Sequence, residues 1–163
     1  MSIADSLLPE FTQEMASTRR LLERVPDDKG DWKPHPKSFS LAHLAQLVAH
    51  MPGWVGRTIL HPDLDSAGGP GYSNESTATL LEQFDAKVRE ASEAIAGATE
   101  ASFAESWSLK MGDKVLMTMP RGVVVRQHIS HLSHPRGQLT VYLRMLDVPI
   151  PSIYGPTADE KWR

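Results

Sequence analysis

The chain has 163 residues, with 17 Lys and Arg against 20 Asp and Glu, 7 His and no Cys, a length that suits one domain with a buried core over 1–163. A net charge of −3 leaves no diffuse basic surface, which argues against a protein living mainly on DNA, RNA or anionic lipid. Without Cys there is no disulfide scaffold, thiolate zinc site, Fe–S cluster or Cys nucleophile, so a metal site must be built from His, carboxylates or water.

No window approaches the roughly 20 apolar residues of a membrane span, and the opening MSIADSLLPEF lacks a basic region followed by an apolar run. The expectation is a cytoplasmic protein with no membrane or nucleic-acid partner. From Asp5 to about Val25, Leu7, Leu8, Phe11, Met15, Leu22 and Val25 recur at three- and four-residue steps, which predicts a first helix. Gly30, Pro34 and Pro36 then mark a loop. A second helix starts near Ser38 or Ser40, either of which can cap it, and runs through LAHLAQLVAHMPGWVGRTIL with a bend expected at Pro52.

HPDLDSAGGPGYSNES reads as too rich in Gly, Pro and Ser for regular structure. Ser76 or Thr77 caps a third helix over about 77–97, with Leu80, Leu81, Phe84, Val88, Ala91 and Ile95 facing inward and Gly97 ending it. WSLKMGDKVLMTMP alternates around Gly112 and Asp113 as a short hairpin would. The last helix spans about Arg121 to Leu146; Pro149 and Pro151 stop it, and an extended tail follows. Four amphipathic helices bury their faces most simply as an all-α four-helix bundle.

Five of the seven histidines fall in two windows, His43 with His50, and His128 with His131 and His134. Neutral imidazoles from facing helices suit Zn, Ni, Cu or Fe(II). His43 and His50 stand about two turns apart, roughly 10 Å along the axis, too far to share an ion easily. His128 with His131, or His131 with His134, can chelate at i,i+3, whereas His128 and His134 diverge by about 120° around the helix. A polar stripe with no metal is the competing interpretation. His35 and His61 lie beside prolines and read as solvated.

Other residues carry weaker signals. Asp159 and Glu160 suit surface pairing with Arg, and Arg136 or Arg144 can bind a carboxylate. Ser130 and Ser133 lack a matching acid for a Ser-His-Asp site. Trp54, Trp107 and Tyr142 suit core or dimer surface.

The runs SFSLAHLAQLVAHMPGW and HISHLSHPRGQLTVYLRMLDVPIPSIYGPTADE resemble the two signatures of the DinB/YfiT-like superfamily, and the likeness extends over nearly the whole chain. It implies a four-helix bundle of DinB/YfiT type, often a homodimer, with a divalent metal held by one His of the second helix and an H-x-x-x-H pair of the fourth. Some relatives are thiol-dependent transferases or isomerases. Matched through Pro52, Gly53 and Trp54, the second-helix ligand position falls on Leu47. Matched through Arg136, Gly137, Gln138 and Leu139, the pair falls on His131 and Pro135.

Leu and Pro offer no side-chain ligand, yet histidines flank each lost position. If the second and fourth helices run antiparallel, His50, His128 and His131 form a site displaced by one turn. The competing set is His131 and His134 with His43 or His50. Two functions follow. One is a metal-dependent enzyme using His50, His128, His131 or His134 to hold Zn or Ni, with Fe or Cu as alternatives, for hydrolysis or group transfer, including thiol transfer, on a small-molecule substrate. The other is a metal-free bundle that binds a small molecule or serves as a dimeric interaction module.

Overall fold

The computed structural model describes residues 2–68 and 71–161. Residues 69 and 70 of the loop expected after the second helix, and 162 and 163 of the expected tail, lie outside the described residues. Helix α1 spans Ile3–Leu22. Ser2 Oγ accepts from Asp5 N at 3.0 Å and Asp5 Oδ2 accepts from Ser2 N at 2.7 Å, a reciprocal cap that starts the helix earlier than Asp5. It stops short of Val25 because Arg24 and Val25 donate to Leu21 and Leu22 in tightened three-residue turns ahead of Pro26.

Within the expected loop, Asp27–Lys29 form a 3-10 turn. The carbonyls of Gly30 and Trp32 then accept from Ala42 N and Leu41 N, each at 2.9 Å, and Ser40 Oγ accepts from His43 N. Three otherwise orphaned donors at the start of helix α2, Leu41–Leu60, are satisfied in this way. Helix α3 spans Thr77–Gly97 behind its Ser76 cap, as the sequence predicts. Gly56 lets α2 approach α3 closely, since a β-carbon there would stand 3.4 Å from Ala91 Cα.

Helix α4, Glu100–Ala104, is not foreseen by the sequence reading; Thr99 caps it and Phe103 anchors it in the core. Strand β1, Asp63–Asp65, lies in the stretch read as irregular. It pairs in parallel with β2, Ser106–Met111, which turns at Gly112 (φ +58°) into antiparallel β3, Lys114–Pro120. The expectation of an all-α chain is therefore wrong: among the described residues, five α-helices accompany a three-stranded mixed sheet of order β1-β2-β3. Three residues are too few to show the alternation that marks a strand, and β1 exists because distant β2 offers it a ladder.

Helix α5 spans Arg121–Met145 and carries Pro135 inside it. Helix α2 packs on both α3 and α5, and α1 contacts all three. Phe11, Met15, Val48, Val55, Phe84, Leu132 and Leu139 belong to their shared core. The chain after α5 is not a free extended tail: it folds back. Asp159 pairs with Arg144 and accepts from Ile150 N, while Glu160 pairs with Arg20 of α1 and accepts from Ser152 N.

Candidate functional site

The five clustered histidines divide among four surroundings. His43 is sandwiched between Phe39 and Tyr72, with ring centroids 3.9 and 3.6 Å away. Its burial, with help from Lys33, moves its pKa below the usual imidazole range. His128 and His131, one turn apart on α5, both lie against Trp54 of α2 at 5.7 and 5.9 Å between ring centroids. His128 also meets the buried Trp107 of β2 edge-on at 6.4 Å.

Burial, and then the neighbouring His131, push the His128 pKa down to about 4, so its ring is neutral at ordinary pH. Its Nε2 is buried without a hydrogen-bond partner. His134 is exposed. The structure therefore brings together two of the four proposed ligands, His128 and His131.

His50 is engaged elsewhere. Its Nε2 lies 2.6 Å from Gln83 Oε1, and Gln83 Nε2 donates to Glu75 Oε2 at 2.6 Å. Because the amide nitrogen of Gln83 faces a carboxylate, its oxygen must face the ring, and His50 Nε2 carries the proton. Among the described residues no group of three or more His, Asp or Glu side chains is placed to hold a metal ion. With Leu47 and Pro135 at two of the ligand positions that the resemblance implies, the residues present do not fit that three-ligand centre.

His50 instead lines a cleft of about 570 Å³ bounded by α2, α3, β1 and the segment before α3. Its polar wall is one network. Glu75 Oε1 accepts from Ser73 Oγ at 2.8 Å and from Gln46 Nε2 at 3.2 Å, and Gln46 Oε1 accepts from Ser73 N at 2.9 Å. Gln46 and His50 share a face of α2 at i,i+4. The segment carrying Tyr72, Ser73 and Glu75 is pinned at its end: Asp27 Oδ1 accepts from Thr77 N at 2.6 Å, and Thr77 Oγ1 donates to Val25 O at 2.7 Å. The Thr77 N–H holds the Asp27 carboxyl below its usual range. Asn74 packs over Gly30, where a β-carbon would collide with its amide.

Trp54 and Arg57 of α2 and Lys87 of α3 also line the cleft, on the same two helices that carry Gln46, His50 and Gln83. Trp54 is half-buried and packs against the core; it also lines the cleft and meets the two α5 histidines, contacts the sequence does not reveal. Gln46, Glu75, Gln83, Arg57 and Lys87 also escape the sequence reading. One signal was available: Gln46 is a lone amide among apolar neighbours on α2, and it is 3% exposed, a burial that calls for a partner.

Arg136 is 2% exposed and bonded to Glu14, Thr18 Oγ1 and Tyr154, so it is engaged within the fold. Trp107 is in the core, and Tyr142 meets Trp32 edge-on.

A family model described as "DinB family" matches residues 1–162. The uncharacterized protein YrdA of Bacillus subtilis strain 168 is 25% identical over 159 residues, covering 97% of this chain and 91% of that protein. The crystal structure of a DinB-like protein, YjoA, from Bacillus subtilis superposes with a TM-score of 0.72 at 15% identity, covering 96% of this chain and 99% of that one. A DinB-like protein from Bacillus cereus ATCC 10987 gives a TM-score of 0.70 at 21% identity, with 92% and 97% covered. These two likenesses concern the fold.

Proposed function

The chain belongs to the DinB family, and we propose that it works as a metal-independent small-molecule-binding domain whose site is the cleft around His50. The observation that carries this reading is the His50–Gln83–Glu75 chain of hydrogen bonds, which gives the candidate ligand from α2 a partner inside a cleft rather than a place beside His128 and His131. A concave site with an apolar wall and a few convergent polar groups is what small-molecule recognition requires. No described helix is long and apolar enough to cross a membrane. We extend the reading to a homodimer, the state the family resemblance implies; light scattering measures it.

The test is elemental analysis after incubation with Zn or Ni and buffer exchange, together with melting curves with and without chelator. The expected result is far less than one metal per chain and an unchanged melting temperature. One retained equivalent whose removal lowers the melting temperature would overturn the reading.

A second reading, a metal-dependent hydrolase or transferase, is favoured by the unpartnered Nε2 of His128 one turn from His131. A divalent ion there would supply polarisation of water, a thiol or a carbonyl. This reading requires His50 to exchange Gln83 for the metal, or His134 to turn inward. The same metal analysis separates the two.

A further inference from the structure

We infer that the occupant of the cleft is an organic monoanion, a carboxylate on an apolar body, with its charge at Arg57 and Lys87 and its body against Trp54. This rests on the cleft reading above and adds the ligand's chemistry to it. Four charged side chains line the cleft: Asp65, Glu75, Arg57 and Lys87. The two acids are already supplied with donors. Asp65 Oδ1 accepts from Ala67 N at 2.8 Å and Gly112 N at 3.0 Å, which lower its pKa. Glu75 accepts from Ser73, Gln46 and Gln83.

The two bases are in the opposite condition: neither the Arg57 guanidinium nor the Lys87 ammonium has a hydrogen-bond or ion-pair partner among the described residues. An Arg guanidinium presents a planar fork that matches a carboxylate bidentately, and Lys adds a compact charge beside it.

The two unpartnered cations admit an anion, and the count of charges disfavours a dianion. Two acids and two bases give a neutral lining when His50 is uncharged, so a dianion such as a phosphate monoester would meet repulsion from Glu75 and Asp65 with no surplus of positive charge. Lys87 reaches the cleft over Gly53, where a β-carbon would stand 3.2 Å from Lys87 Cδ. Trp54 offers the apolar surface, and about 570 Å³ lies within the range of small-molecule sites.

The experiment titrates the intact chain with phenylacetate, phenylacetamide and phenyl phosphate at constant ionic strength. It follows the indole N–H of Trp54 and the side-chain amide of Gln83 by NMR, assigned with Trp54→Phe and Gln83→Leu. Phenylacetate is expected to shift both signals saturably and to bind more tightly than the amide or the phosphate. Arg57→Gln and Lys87→Gln should each weaken it about tenfold or more without changing the melting temperature.

Equal binding of phenylacetamide, undiminished in Arg57→Gln and Lys87→Gln, would overturn the anion inference and leave the cleft reading standing. Tighter binding of phenyl phosphate would overturn the monoanion assignment alone. If no compound moves either signal, the cleft reading fails and the inference with it.

Discussion

Gln83 sets the tautomer of His50. Its carbonyl oxygen faces His50 Nε2 at 2.6 Å because its nitrogen is committed to Glu75 at the same distance. His50 Nε2 is thus donating a proton inside the cleft and has no lone pair to offer a metal in this state. Nitrogen-resolved NMR of the imidazoles should find neutral His50 in the Nε2–H form. In Gln83→Leu the two tautomers should mix; an unchanged tautomer there would show that Gln83 does not set it.

His128 should make stability depend on pH. Its native pKa is about 4 against 6.5 for the unfolded side chain, so the unfolded state takes up the proton first. Stability is then lost as pH falls from about 6.5 to about 4, by on the order of 3 kcal/mol. Above pH 6.5 the contribution is flat. In His128→Phe this part of the decline should vanish, and at pH 7 the variant should be neutral or more stable by about 1 kcal/mol, because an unpartnered buried nitrogen is gone. Urea unfolding in chelator across this range measures both.

Restoring the ligand positions should create metal binding. The double variant Leu47→His with Pro135→His supplies side-chain donors where the family resemblance places them, beside the existing His131. It also returns an N–H to the interior of α5. One equivalent of Zn is expected to bind the variant and raise its melting temperature, with about 2.7 kcal/mol of stabilisation at a hundredfold excess over Kd. The parent chain should show no such rise. A variant that folds but retains no Zn would place the α2 and α5 positions too far apart.

Arg136 and Arg144 should differ sharply in their contribution to folding. Arg136 is 2% exposed and pairs with Glu14, itself 14% exposed, so Arg136→Met leaves a largely buried carboxylate without its counter-charge, held only by the Tyr154 hydroxyl at 2.9 Å, and should cost about 3 kcal/mol. Arg144 is 45% exposed beside Asp159, where solvent screens the pair, and Arg144→Met should leave the denaturant midpoint nearly unchanged. Denaturant midpoints measured side by side would show the contrast; equal losses would contradict it.

The four long helices, the Ser76 cap and the end at Gly97 are legible in the sequence because a helix closes its hydrogen bonds within four residues. Its buried face therefore repeats at short range in Leu80, Phe84, Ala91 and Ile95. The family is legible for a related reason: its signatures lie within single helices and the segment after α5. The pairing of His128 with His131 likewise follows from one helical turn.

What only the tertiary structure decides are the partners drawn from elsewhere in the chain. The three residues of β1 have no pattern of their own and become a strand when β2 arrives. His50 reads as a metal ligand or as part of a polar stripe until Gln83, 33 positions later, takes its Nε2–H. Trp54 reads as core or dimer surface, and only the docking of α5 sets two imidazoles against its ring. A hydrogen bond or ring contact across the fold depends on how helices dock, and docking is set by the summed packing of many side chains. The local spacing that reveals each helix therefore says little about which polar group its exposed edge will meet.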